Sequence, residues 1–403
     1  MKNLIKITIF ICFAICAMII PAHAEAPDVS AESCVLYCGD TDDVLYAKLA
    51  DERRLIASTT KIMTAIIAIE NLDMDKEIVI KDEWCGVEGS SMYLSPGQHY
   101  TVRELLTGML LCSGNDAATA VAGLCTGGEE DFVSLMNAKA KELGMSNSCF
   151  SNPHGLDDEN HYSTALDMAK LAAYCMKNEE FRNIVCKKSF TVNDLNFYNH
   201  NRLLSECDGC IGIKTGYTQA AGRTLVSCVQ RNGLELICVT LNAPDDWNDH
   251  KKLYDWAYSE YSMTTFDSNV FSAYLPAISG VNSMAELAPE KTISVLSKCG
   301  QKVSAYLELP GMLFAGGSKG ESVGEIYVYL DGTLAAAEKM VYTEDVPIDP
   351  NLKLSFIQRI LRQSGSSQKP LYIKESAKIS YGENPENYIR FGTLFPQNSG
   401  KIY

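Results

Sequence analysis

Residues 55–70, LIASTTKIMTAIIAIE, set Ser58 three residues ahead of Lys61 at the head of an apolar run. Ile62, Met63, Ile66 and Ile67 fall on one helical face, and Ser58 and Thr59 are residue types that cap helices, so a helix is expected to begin at Ser58. Positions i and i+3 share a helix face, which places the Lys61 amine within reach of the Ser58 hydroxyl. A serine hydroxyl is a poor nucleophile at neutral pH and needs a base to take its proton. A lysine buried among apolar and cationic neighbours surrenders its own proton more readily and can be that base. The helix N-terminus adds a positive dipole end, which favours a developing anion nearby. The spacing alone is weak evidence, because Ser-x-x-Lys recurs at Ser366 to Lys369 in a polar stretch where catalysis has no support.

Outward from this segment the chain alternates strand and helix signals. A hairpin is expected over 33–48 around Gly39-Asp40. TVRELLTGMLLCSGNDAATAVAGLC reads as two helices broken at Ser113-Gly114, the second starting at Asn115 or Asp116. A further helix over 131–143 stops at Gly144, and another is capped by Ser163 or Thr164. Strands over 223–229 and 234–241 flank Asn232-Gly233, a strong hairpin signal. A sheet assembled from both ends of this segment, with helices packed on it, gives an α+β domain. Residues 268 to about 346 are strand-like, with turns at Gly316-Gly317 and Asp331-Gly332, and read as a small all-β domain. The expected division is a leader at 1–24, a first domain at 25–266, a β domain at 267–348, and an amphipathic stretch with a polar tail at 349–403. The chain shows no internal repeats.

With 403 residues, 46% hydrophobic and 21% charged, the composition is that of an ordinary globular protein. Residues 1–24 place Lys2 and Lys6 before an apolar run ending in Ala22-His23-Ala24, the pattern of a secretory signal peptide. The alternative, a retained membrane anchor, fits less well because the apolar core is short and the ending suits cleavage. An exported protein, acting at the cell wall or the outer face of the cytoplasmic membrane, is expected. Removing Lys2 and Lys6 from 35 basic residues leaves 33 against 50 acidic ones, a net charge of −17, which argues against a nucleic-acid partner. Thirteen cysteines remain after residue 24, an odd number, and Cys112, Cys125, Cys175, Cys228 and Cys238 sit in apolar runs where cysteine serves as a small hydrophobe. Mostly free thiols are expected. Cys207-x-x-Cys210 is the one local pair; without a second pair or a histidine at ligand spacing it does not suggest zinc, and a disulfide there stays open.

The odds on Ser58 change with its company. Ser58-Thr59-Thr60-Lys61 is followed by Ser113-Gly114-Asn115 in an inter-helix turn and by Lys214-Thr215-Gly216 on a strand that opens a hairpin; Lys-Thr-Gly occurs nowhere else in the chain. Ser-x-x-Lys with Ser-Asp-Asn and Lys-Thr-Gly is the motif set of penicillin-binding proteins and class A β-lactamases. Over nearly all of its length after the leader, the sequence resembles the serine D-alanyl-D-alanine carboxypeptidases among the low-molecular-mass penicillin-binding proteins, the S11 peptidase family. GSSMYLSPGQHYTVRELLTGMLLCSGNDAA, NPHGLDDENHYSTALDMAKLA and GIKTGYTQAAGRTLVSC carry the likeness beyond the motifs, and GESVGEIYVYLDG is similar to the family's C-terminal β domain.

That resemblance implies a penicillin-binding, β-lactamase-like transpeptidase domain, an antiparallel sheet packed with helices, followed by the β domain. It implies Ser58 as nucleophile toward the carbonyl between two D-alanines, Lys61 as general base and Ser113 as proton relay to the leaving amine. Asn115 would hydrogen-bond the substrate's peptide amide. Lys214 and Thr215 would hold the terminal carboxylate, Gly216 would leave room for substrate against the strand, and the backbone N–H groups of Ser58 and Tyr217 would form an oxyanion hole. Arg202 stands near where family members carry an arginine facing the site. A further basic residue is common in the family around 246–250, where this chain reads DWNDH, so carboxylate recognition would rest on Lys214, Thr215 and Arg202. Asn152 and His154 read as structural. The implied partners are peptidoglycan stem peptides ending in D-Ala-D-Ala, with β-lactams as covalent inhibitors and neither metal nor organic cofactor. A DD-endopeptidase or β-lactamase on the same scaffold, or an idle peptidoglycan-binding protein, are the competing readings. The stretch 352–362, with Lys353, Arg359 and Arg362 on its polar side, sits where the family often carries a membrane-surface anchor; a peripheral membrane contact there would be weak.

Overall fold

The computed structural model describes residues 25–266 and 270–350; the leader, the amphipathic stretch 352–362 and the tail 363–403 lie outside the described residues. The chain divides into two compact units between Glu260 and Tyr261. This division precedes the expected boundary at 266 because Tyr261–Phe266 pairs with Ile293–Lys298.

The first unit is built on a five-stranded sheet drawn from both ends of its sequence. β1 (Ser33–Cys38) and β2 (Asp43–Lys48) form the first hairpin. Two short pairs, β3 (Glu77–Val79) with β4 (His99–Thr101) and β5 (Ser189–Val192) with β6 (Leu195–Tyr198), stand apart from the sheet. β7 (Cys210–Thr218), β8 (Gly222–Arg231) and β9 (Leu234–Leu241) complete it in the order β2-β1-β9-β8-β7, every neighbour antiparallel. Asn232 (φ 50°) and Gly233 (φ 79°) take the left-handed conformations that a two-residue hairpin turn requires.

Both faces of the sheet are covered, so its central strands are buried along most of their length and largely apolar. Val35 and Tyr37 of β1 and Ile237, Val239 and Leu241 of β9 join the large helical core; their alternates face the other way. On that other face, Thr240 and Ser227 hydrogen-bond the two ring nitrogens of buried His250. The helical layer comprises α1 (Lys61–Asn71), α2 (Val102–Leu111), α3 (Asn115–Thr126), α4 (Glu129–Glu142), α5 (Ala165–Met176) and α6 (Glu179–Val185). α7 (Leu203–Glu206) leads into β7, and α8 (Asp246–Glu260) carries His250. Thr101 and Glu104 form a reciprocal capping box on α2, and Gly127 and Gly144 adopt positive φ just past α3 and α4. The thirteen cysteines of the described residues are free, and Cys34, Cys38, Cys175, Cys228 and Cys238 are fully buried as small hydrophobes.

The second unit is all β. β10 (Tyr261–Phe266) pairs with β13 (Ile293–Lys298). β11 (Ala273–Ile278), β12 (Met284–Pro289), β14 (Val303–Glu308), β15 (Leu313–Phe314), β16 (Ser322–Leu330) and β17 (Thr333–Tyr342) form a six-stranded sheet around a separate core that includes Phe266, Phe271, Leu287, Ile326 and Met340. The β16–β17 hairpin turns at Asp331-Gly332, both with positive φ. No helix among the described residues is long and apolar enough to cross a membrane.

Candidate active site

Ser58 does not cap a helix. Ala57–Thr60 forms a 3-10 turn with no side-chain cap, and α1 begins only at Lys61. The turn is set by its surroundings. Ala57 is held at φ 46°, and Thr60 Oγ1 donates to the Ala57 carbonyl at 2.8 Å while accepting from His161 Nε2 at 2.7 Å. The amide of Ser151 donates to His161 Nδ1 at 3.1 Å, which fixes a neutral ring with its proton on Nε2. Burial holds His161 down at about 4, consistent with that neutral form. Released from capping, the Ser58 hydroxyl is free to face the cleft.

The loop 152–156 closes over the start of α1. Asn152 accepts from the Gly155 amide at 2.6 Å, Thr64 Oγ1 donates to the Pro153 carbonyl at 2.6 Å, and the His154 carbonyl turns inward to Lys61. Gly155 sits at φ 89°, and a Cβ there would come 1.9 Å from the Ala57 carbonyl oxygen, so glycine is what lets the loop reach the turn. The His154 ring, pushed down to about 3 by burial and by Lys61, accepts from the Leu156 amide and stays structural.

Lys61 is wholly buried, and its Nζ lies 3.0 Å from Ser58 Oγ, 2.6 Å from Asn115 Oδ1 and 2.6 Å from the His154 carbonyl oxygen. Two of these atoms can only accept, so in the neutral amine both N–H groups go to Asn115 and His154 and the lone pair is left for the serine proton. Among the described residues neither Lys61 nor the equally buried Lys214 makes an ion pair. Desolvation, followed by repulsion from Lys214, holds the Lys61 ammonium well below its ordinary range. Lys214 comes down to about 8, also through burial, and its Nζ donates to the Thr215 carbonyl at 2.9 Å.

The turn between α2 and α3 supplies Ser113 and Asn115. Ser113 is held at φ 66° and lines the cleft. Asn115 is anchored at both amide ends, Oδ1 on Lys61 and Nδ2 on the Glu88 carbonyl, and its backbone amide donates to the Ser90 carbonyl at 2.7 Å. The next residue, buried Asp116, accepts from the amides of Met92 and Leu94 and from the Ser91 hydroxyl, and so fastens the 90–94 loop against this turn.

β7 is the sheet edge beside the Ser58 turn, and no described strand pairs with its outer side. Gly216 makes that approach: a Cβ would lie 2.4 Å from Thr224 Oγ1 and 2.9 Å from the Ser58 amide nitrogen. A side chain at 216 would thus collide with Thr224 and with the turn that carries Ser58. A cleft of roughly 500 Å³ runs past Ser58, Ser113, Thr215, Gly216 and Tyr217, the last a residue 65% exposed. Arg202 also lines it, with Nε and Nη2 both on Glu206 and its guanidinium 5.8 Å from the Trp247 ring.

Against known proteins, the family model for D-alanyl-D-alanine carboxypeptidases matches residues 20–245. The chain belongs to the D-alanyl-D-alanine carboxypeptidase family. It is similar to D-alanyl-D-alanine carboxypeptidase DacF of Bacillus subtilis, 34% identical over 84% of this chain and 90% of the relative. DacC of Escherichia coli is 34% identical over 83% of this chain and 88% of its own length. Among solved structures, penicillin binding protein 5 from Haemophilus influenzae superimposes with a TM-score of 0.68 at 28% identity, covering 80% of this chain and 99% of that one.

In this carboxypeptidase-family cleft the structure brings together Ser58, Lys61, Ser113, Asn115 and Lys214 to Tyr217, with Arg202 on the wall. Sequence reasoning missed Arg223, Asp246 and Trp247 in the same wall. Arg223 Nη2 and Nε sit 3.0 and 3.1 Å from Asp246 Oδ1, and its guanidinium lies 5.5 Å from the Trp247 ring. The missed signal is register: Arg223 stands opposite Tyr217 on the neighbouring strand, a pairing set by the tight β7–β8 turn at 219–221. The stretch DWNDH lacks a basic residue of its own at the cleft, but its aspartate fixes one from β8.

Proposed function

We propose that this chain removes the terminal D-alanine from peptidoglycan stem peptides ending in D-Ala-D-Ala, through an acyl-enzyme on Ser58, and that it acts outside the cytoplasm. The observation that carries this reading is the setting of the Lys61 amine: two acceptors take its hydrogens and the third direction points at Ser58 Oγ. Ser58 attacks the carbonyl carbon while its proton passes to Lys61, and the oxyanion forms against the backbone N–H groups of Ser58 and Tyr217. Each such donor is typically worth about 2.7–4 kcal/mol in the transition state. The open edge of β7 receives the extended substrate backbone as an added strand. Lys214, Thr215 and the arginines at 202 and 223 supply positive charge and a hydroxyl for the terminal carboxylate. Collapse expels D-alanine, whose amine takes a proton relayed through Ser113 from Lys61, and water then releases the shortened peptide by the reverse path. A β-lactam, whose strained amide takes the place of the D-Ala-D-Ala bond, acylates Ser58 by the same first step.

The test is release of D-alanine from a diacylated D-Ala-D-Ala tripeptide, compared with release from a crosslinked dimer. Turnover of the tripeptide that Ser58→Ala abolishes supports the carboxypeptidase. Turnover of the crosslinked dimer alone moves the assignment to an endopeptidase.

A further inference from the structure

Cys207 and Cys210 have no part in the proposed reaction, yet they stand in a turn built to bring them together. The Cys210 amide donates to the Cys207 carbonyl at 3.2 Å, closing a four-residue turn with Gly209 at φ 72°. Such turns hold their first and last Cα atoms within about 7 Å, and disulfides span Cα separations of roughly 4.4–6.8 Å. The turn is clamped from the adjoining strand. The Gln230 amide donates to the Gly209 carbonyl at 2.9 Å, and a Cβ on Gly209 would meet the Gln230 carbonyl oxygen at 2.4 Å. Arg231 donates from Nε to the Asp208 carbonyl at 3.0 Å and from Nη2 to Cys207 Sγ at 3.5 Å, while Nη1 reaches Asp255 at 3.2 Å. Asp208 is exposed, so the turn lies at the surface.

We propose that Cys207 and Cys210 are a disulfide-forming pair, oxidised by exchange with a small-molecule or protein disulfide. The Cys207 thiolate, with the Arg231 guanidinium beside it, attacks one sulfur of the incoming disulfide and expels a thiolate. The Cys210 thiolate then attacks the Cys207 sulfur and expels the second. The pair gives up two electrons and two protons, and the reagent becomes two thiols. Burial raises both thiols, Cys210 to about 12, and the Arg231 guanidinium opposes that rise at Cys207. The bond ties the end of α7, which follows Arg202, to the first residue of β7, which carries Lys214.

Incubating the purified protein with oxidised glutathione, then alkylating under denaturing conditions and digesting with trypsin, tests this. Residues 203–214 form one tryptic peptide, LLSECDGCIGIK, that holds both cysteines and no other. The expected product is this peptide, lighter by two hydrogens than its unalkylated dithiol form, refusing the alkylating reagent and recovering both sites after dithiothreitol. In Cys207→Ser that species disappears. The proposal is overturned if the peptide takes two alkyl groups while exposed Cys186 or Cys299 carries glutathione. It is equally overturned if a glutathionyl group persists on Cys207 without closure. This readout is independent of Ser58 chemistry and of D-alanine release.

Discussion

At the level of single residues, the protonation states of two buried lysines govern the proposed reaction. Lys61 must be neutral to accept the serine proton, and Lys214 must be charged to attract a carboxylate. Burial and mutual repulsion push Lys61 well below its ordinary range, so its basic form is present at lower pH, whereas Lys214 discharges at about 8. The pH profile of kcat/KM for D-alanine release should therefore rise as Lys61 deprotonates and fall through an alkaline limb near 8. Lys214→Arg, which stays charged, should move that limb upward; an unmoved limb would assign it to another group. Lys61→Gln keeps a donor for Asn115 or His154 but has no basic nitrogen. It should slow penicillin acylation by roughly 10²–10⁴-fold, the usual contribution of a positioned base, as measured by stopped-flow labelling. Ser58, Lys61, Ser113 and Lys214 were legible from the sequence because their motifs are local and in order. Arg223 was not, since it reaches the cleft only through strand register and is fixed there by Asp246, 23 positions later in the chain.

At the scale of elements, the start of α1 shows where local rules lose to tertiary packing. Serine and threonine before an apolar run read as caps, yet Ser58 lies in a 3-10 turn shaped by His161, Thr60 and the 152–156 loop. The sequence of the turn carries no trace of a histidine a hundred positions away. The loop contacts predict that Gly155→Ala is costly. The left-handed conformation alone costs roughly 1–3 kcal/mol for a residue with a Cβ, and the clash with the Ala57 carbonyl adds to it. Thermal unfolding should show a lowered midpoint, and penicillin acylation should slow with it; wild-type values for both would mean the loop does not hold the turn. Hairpins, in contrast, were readable, because Asn232-Gly233 and Asp331-Gly332 impose positive φ by their own chemistry.

At the scale of the whole molecule, every residue lining the cleft comes from the first unit, and each unit has its own apolar core. A protein ending at Glu260 should accordingly take up penicillin with the stoichiometry of the longer chain, measured by intact mass; loss of labelling in a folded fragment would show that the β unit contributes to the site. The alternation of strand and helix signals conveyed the α+β class and the β unit that follows. A sheet shared by the two ends of the first unit was expected, but not that β9 is the strand that pairs with β1, since that ladder joins segments some two hundred positions apart with no local signal for the partner. The proposed reaction stands on Ser58 as its nucleophile. The most direct measurement is penicillin treatment followed by trypsin and mass analysis of residues 55–61, LIASTTK, in wild type and Ser58→Ala. One penicilloyl group is expected on this peptide at Ser58 and none in the variant. A folded wild type that takes up no label, or a Ser58→Ala protein labelled as well as wild type, would contradict it.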